Sequence, residues 1–336
     1  MSTPGTQPSI PPAAADGTHP TVEENRAVAA ITGDPLTPTY STSQAEVAAL
    51  NKPVRDGKWW TTAILSVVGM AVIVIYCLLP FYWMIVSSLR LPTMGMSNDY
   101  LPNPPSTENF VAVFNPVNNF GQALLNSIIV SSITTVLTLV FGILGAYSLA
   151  RLRFPGKGLI LAIIIGTSMF PGITLLVPLL KMFTGSYGWF PNWMNTYQAL
   201  ILPSLSFGLP LCVWNLTAYF RQLPVELEHS AMVDGCTPAQ AFRQIIMPLA
   251  APGVFTTAIL VFIAVWNEFM IANTFGTTKA MMTAPVAVNQ FTGSLGFNTP
   301  FGTIMAAGVL ITIPLLIMVL LFQRRIIGGL TAGSLK

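Results

Sequence analysis

Charge is what this sequence has least of. Only 8% of its 336 residues are Asp, Glu, Lys or Arg, while 53% are hydrophobic. A soluble domain carries about a quarter charged residues, because water must solvate its surface. A chain this poor in charge has another medium over most of its surface, and lipid is that medium; the mean hydropathy of +0.65 agrees. The net charge is only +3, and no Lys/Arg cluster is long enough to follow a phosphate backbone, so nucleic acid is excluded as a partner. Histidine is scarce as well. His19 and His229 lie far apart without thiol or carboxylate companions at ligand spacing, and no metal site is expected. Cys77, Cys212 and Cys236 are divided between apolar runs and a polar loop, which implies no disulfide framework. A P-loop is missing too: Gly156-Lys157-Gly158 lacks both the leading glycine and the hydroxyl residue.

What is present is a series of long apolar runs behind a polar tail. Residues 1–56 are rich in Pro, Thr, Ser, Ala and Gly with few large side chains to bury, and read as a disordered extension. The tail lacks the basic start and continuous apolar stretch of a signal peptide. Six runs then meet the requirement of about 20 apolar residues per spanning helix: within 58–90, then 123–150, 159–180, 199–220, 253–275 and 303–322. The expected fold class is an all-α integral membrane protein of six transmembrane helices, with domain limits at 1–56, 57–327 and 328–336. With the N-terminus cytoplasmic, the inside segments hold Arg26, Lys52, Arg55, Lys58, Arg151, Arg153, Lys157, Arg221, Arg243, Arg324, Arg325 and Lys336. The outside segments hold only Arg90, Lys181 and Lys279. That bias predicts a multi-pass protein of the cell membrane with both termini cytoplasmic. Trp59 and Trp60 inside, and Trp189 and Trp193 outside, suit the interfacial aromatic belts.

The longest inside loop, 221–252, joins the fourth and fifth spans and reads as two short helices around a sharp corner. Pro224 suits a first helical turn, and Gly235 can take the left-handed conformation that ends a helix. Thr237-Pro238-Ala239-Gln240 is a capping box with proline at its first helical position. Ala241, Phe242, Ile245 and Ile246 form an apolar face, and Pro248 is expected to stop the second helix before the fifth span. So structured a hairpin predicts a docking partner.

These residues resemble the EAA loop of the permeases of binding-protein-dependent ABC importers, with its Glu-Ala-Ala-x-x-x-Gly pattern and a downstream Pro-Leu-x-x-Pro. Ala231, Asp234, Gly235, Phe242, Pro248, Leu249 and Pro252 match. His229 stands where glutamate is usual and Ser230 replaces an alanine, so Glu226 or Glu228 would supply the nearby charge. The likeness extends over 60–336. Asn126-Ser127 and Ala146-Tyr147-Ser148-Leu149-Ala150-Arg151 resemble the second span of carbohydrate-importer permeases, Met169-Phe170-Pro171 the third, and Trp266-Asn267-Glu268-Phe269 the fifth. The ending around Gly328-Gly329-Leu330-Thr331 is similar to that of the smaller, six-span, maltose-type subunit.

The resemblance implies a permease that catalyses nothing itself and holds no cofactor. ATP would be bound by two ATPase subunits docked on the loop, a second homologous permease would complete the path, and an extracytoplasmic sugar-binding protein would deliver a maltose-, maltodextrin- or trehalose-like sugar. A glycerol-3-phosphate importer is the alternative. It further implies that Gln290 and Phe291, in an outer loop, reach the binding protein, and that the tail after Gly328 enters the ATPase interface across a flexible Gly328-Gly329 joint. Glu268, the one acidic residue within an expected span, either faces the translocation path with Trp266 and Asn267 or makes an interhelical hydrogen bond. Trp214 and Asn215 in the fourth span are further path candidates. An ion-coupled transporter would want several embedded carboxylates, and an intramembrane hydrolase a histidine or lysine beside a serine inside a span; neither set is here.

Overall fold

The computed structural model describes residues 57–94, 99–291 and 300–331, and every regular element among them is helical. The chain divides into two units, residues 1–74 and 75–336. The described part of the first is the beginning of helix α1 (Gly57–Ser88), which fills the expected first span.

In the second unit, α2 (Glu108–Val113) precedes α3 (Phe120–Arg151). Then come α4 (Lys157–Ser168), α5 (Gly172–Phe183), α6 (Tyr197–Gln222) and α7 (Glu226–Val233). Helix α8 (Pro238–Ala241) passes through a π turn, Phe242–Ile246, into α9 (Met247–Trp266). Short helices α10 (Met270–Phe275) and α11 (Ala284–Asn289) lead to α12 (Phe301–Thr331). Among the described residues five helices are long and apolar enough to cross a membrane; α4 and α5, bent by 87° at their junction, make a sixth when taken as one span.

Helices α3, α6 and α9 build the core. α3 and α6 run side by side in the same direction: Tyr197 Oη donates to Asn126 Oδ1 at 2.8 Å near one end, and the Tyr147 and Phe220 rings meet at 6.0 Å near the other. Close approach rests on a small-residue face. A Cβ on Gly142 would stand 2.4 Å from Cys212 Sγ, and Ala146 beside it is fully buried. Ser127, Ser131, Thr134, Thr135 and Thr138 are buried along α3 at helical spacing. In a bilayer such side chains are far cheaper against another helix than against hydrocarbon.

Departures from the sequence reading sit at prolines and polar breaks. The third span is not straight: Pro171 is extended (φ −60°, ψ 120°) and donates no N–H, so α4 ends just before it. The fifth ends at Trp266, and Glu268 lies in a non-helical break instead of inside the span. Its carboxylate accepts the Ile271 and Ala272 N–H groups at 2.7 and 3.0 Å, a local alternative to the helical ladder. Pro248 does not stop the helix. The Met247 N–H donates to the Phe242 carbonyl, five residues back, and this π turn lets the chain absorb Pro248 and continue as α9. Helix α7 begins at Glu226, leaving Pro224 ahead of it. No joint forms at Gly328-Gly329: α12 runs through both glycines to Thr331, because about 1 kcal/mol per glycine does not end so long a helix. The tail 1–56, residues 95–98 and 292–299, and the last residues 332–336 lie outside the described residues.

Candidate functional site

Among the described residues, the hairpin between α6 and α9 is the most elaborately terminated segment. Its first helix, α7, ends in a Schellman motif: the Cys236 N–H reaches the Ala231 carbonyl at 3.0 Å and the Gly235 N–H that of Met232 at 3.1 Å. Gly235 holds φ +93° there, a value open to glycine and strained for other residues. One residue later the capping box closes in both directions. Thr237 Oγ1 accepts the Gln240 N–H at 3.3 Å, and Gln240 Oε1 accepts the Thr237 N–H at 2.7 Å, with Pro238 in the first turn. The Schellman motif ends at Cys236 and the capping box begins at Thr237, so the corner is fixed by backbone bonds on one side and by side-chain caps on the other.

The faces of the hairpin differ. Glu226, His229, Asp234 and Pro248 are exposed, as are Met232 and Val233. Ala231 is buried, and Phe242 lies half-buried with its ring 4.5 Å from that of Tyr147 on α3. Glu228 turns the same way. Its Oε1 accepts from Tyr147 Oη, and Oε2 stands 3.8 Å from Arg151 Nε. Arg151 also donates from Nη2 to the Leu223 carbonyl at 2.8 Å. Of the expected loop residues, then, Glu226, His229, Asp234 and Gly235 offer an outer surface, Ala231 is buried, and Glu228 and Phe242 fasten the hairpin to α3. Tyr147 and Arg151 were not singled out from sequence as site residues; the only hint was their place in the run that ends α3.

The path candidates separate. Trp214 is exposed, Asn215 half-exposed and Asn267 exposed, whereas Trp266 is buried and stacks on Phe262 at 5.6 Å. Glu268 is engaged by the α10 backbone as described above. In the outer loop, Gln290 is exposed and Phe291 is buried, edge-on to Phe120 at 6.0 Å.

Another residue organises that far end. The Asn126 amide donates to the carbonyls of Ala280 and Met282 at 2.8 and 2.9 Å, and its oxygen accepts from Tyr197 and Gln122 at 2.8 and 3.0 Å. All its donors and acceptors are used, and the loop before α11 is thereby pinned to α3. Among the described residues no cluster of His, Cys, Asp or Glu forms a metal site.

The sequence profile described as "Binding-protein-dependent transport system inner membrane component" matches residues 138–331. The trehalose transport system permease protein SugB of Mycobacterium tuberculosis is 43% identical over 282 residues, spanning 84% of this chain and 98% of that protein. The trehalose/maltose transport system permease protein MalG of Thermococcus litoralis is 44% identical over 274 residues, 81% and 96% of the two chains. The sulfoquinovosyl glycerol transport system permease protein SmoH of Agrobacterium fabrum is 37% identical over 276 residues, 81% and 93%. In fold, the chain matches one from the crystal structure of a bacterial ABC transporter that imports the acidic polysaccharide alginate. The TM-score is 0.66 at 18% identity, over 81% of this chain and 99% of that one.

Proposed function

We propose, from the premise that this chain belongs to the family of binding-protein-dependent transport system inner membrane components, that it is a permease subunit importing a trehalose- or maltose-like sugar. The observation that carries the substrate class is the pair of relatives at 43% and 44% identity, both of whose names contain trehalose. The coverage of nearly the whole length of each, 98% and 96%, extends the likeness to all spans.

A second permease completes the translocation path, and two ATPase subunits dock on the exposed face of the hairpin at Glu226, His229, Asp234 and Gly235. An extracytoplasmic binding protein delivers the sugar to the opposite end, where Gln290 offers an exposed contact. Nucleotide binding closes the ATPases and moves the hairpin, which turns the path outward; hydrolysis resets it. No bond of the sugar is made or broken by this chain. The hairpin end faces the cytoplasm. The basic residues support this: Arg151, Arg221 and Arg243 lie there, while Lys279 bonds the Val117 carbonyl at the other end of α3.

Uptake decides the matter. A strain lacking this chain should lose import of labelled trehalose and maltose and regain at least one when the chain is restored. Recovery of neither sugar would overturn the substrate class.

A further inference from the structure

Helix α7 is flanked on both sides by non-helical backbone. Leu223 is extended (φ −71°, ψ 135°) where α6 ends, and the Gly235 turn follows α7. Its seating on the spans therefore depends on side chains. One guanidinium holds two parts of it: Arg151 donates to the Leu223 carbonyl in the α6–α7 link and faces Glu228 within α7. Tyr147, one turn back on α3, also serves twice, through its hydroxyl to Glu228 and its ring to Phe242 in the π turn. The pair is shielded, with the Arg151 and Glu228 side chains 6% and 12% exposed. Charges removed from water this far resist separation, since pulling one away leaves the other unpaired.

The three core spans differ in how they are attached to the hairpin: α6 leads into α7 through the extended link at Leu223. α9 is joined to it by continuous helix through the π turn. α3 has no such route: it ends at Arg151, and the backbone leads away to α4. Side chains alone tie α3 to α7.

We propose that Tyr147 and Arg151 clamp Glu228 so that displacement of the hairpin is delivered to α3, and with it to α6 packed alongside. These are positioning residues for the coupling of ATP hydrolysis to sugar import. The inference rests on the reading of the hairpin as the ATPase-docking element. With the clamp intact, α3 moves with the hairpin as α6 and α9 do; without it, hairpin motion reaches α9 through continuous helix and α6 through the extended link but is not passed directly to α3, and hydrolysis runs without import.

The test uses the assembled complex with its partner permease, ATPases and binding protein in proteoliposomes. It reads the ratio of ATP hydrolysed to trehalose or maltose imported. Glu228→Ala should raise that ratio about fivefold or more, and Tyr147→Phe should raise it less. An unchanged ratio in Glu228→Ala overturns the clamp. Should Glu228→Ala fail to assemble, Tyr147→Phe, which removes a single oxygen, decides by the same criterion. A second readout is independent of the cargo: hydrogen exchange of residues 144–151 with and without vanadate-trapped nucleotide. A nucleotide-dependent change present in the wild type and lost in Glu228→Ala supports the clamp. One that persists in the variant, or is absent from the wild type, overturns it. A wild-type complex that imports neither sugar rejects the substrate reading and leaves this second measurement to decide.

Discussion

Gly235 concentrates two requirements in one residue: φ of +93° and an N–H given to the Met232 carbonyl. Proline meets neither, since its ring fixes φ near −65° and removes the donor. Gly235→Pro should insert into the membrane yet lose sugar-stimulated ATPase activity in the purified complex; full stimulation in the variant would remove the hairpin from the coupling route. At the opposite end, Gln290 and Phe291 are neighbours with different surroundings. Gln290→Ala should lower uptake with little change in melting temperature, because the side chain is exposed. Phe291→Ala should cost about 3–5 kcal/mol in stability, because it empties a buried site against Phe120. Thermal unfolding alongside uptake separates the two, and a Gln290→Ala protein that imports at the normal rate argues against binding-protein contact there. What sequence reveals at this scale depends on range. The Gly235 turn and the Thr237 capping box are built from residues within a few positions of each other, so their chemistry is legible in the sequence. The partners of Glu228 lie up to 81 positions away, and the amide of Asn126 reaches carbonyls more than 150 positions on. Nothing local marks such pairs.

The spans announce themselves by length and hydropathy, whereas their interruptions do not. Every expected apolar run is occupied by helix, yet the run at 159–180 contains an 87° bend and the run at 253–275 a polar break. In both places a proline or a side-chain carboxylate competes with the helical ladder, and the winner depends on neighbours that hydropathy does not record. Pro248 gives the converse case, a breaker that breaks nothing because the π turn precedes it. Pro248→Ala restores an N–H and removes the ring, so Phe242–Ile246 should relax toward α-helix. That rotates the hairpin by about 100° relative to α9, the angle of one residue in an α-helix. The expected result is a protein that inserts and assembles but imports sugar several-fold more slowly. Retention of the π turn by the variant, seen as unchanged contact between Phe242 and Tyr147, would show that packing and not proline holds it.

Across the whole chain, the end that carries the hairpin also carries Arg151, Arg221 and Arg243, and the long α12 ends beyond the last apolar span residue, Phe322. Removing residues 329–336 should spare insertion and pairing with the second permease but reduce ATPase activity and uptake, measured on the assembled complex. A truncated complex that imports at full rate would leave the tail without a role in docking. The helix through Gly328-Gly329 gives this prediction a firmer physical basis than a loose joint: the shortened chain loses part of a continuous element.

The stretch Pro238–Trp266 is one unbroken rod of 29 residues. At ~1.5 Å per residue it is ~44 Å long, while the hydrocarbon layer is about 30 Å thick. The rod's last 14 residues, 253–266, belong to the apolar run of the fifth span and its first 15, 238–252, precede that run, so at the same rise ~21 Å lies in the lipid and ~22 Å ahead of it. Such an overhang is a lever with the bilayer as its fulcrum. A tilt of only ~5° about the membrane surface nearest the hairpin moves each tip sideways by ~2 Å, in opposite senses, for arms of ~21 and ~22 Å. The arms are nearly equal, so a stroke applied to the hairpin reappears at full size and in the reverse direction beside the Glu268 break, inside the membrane.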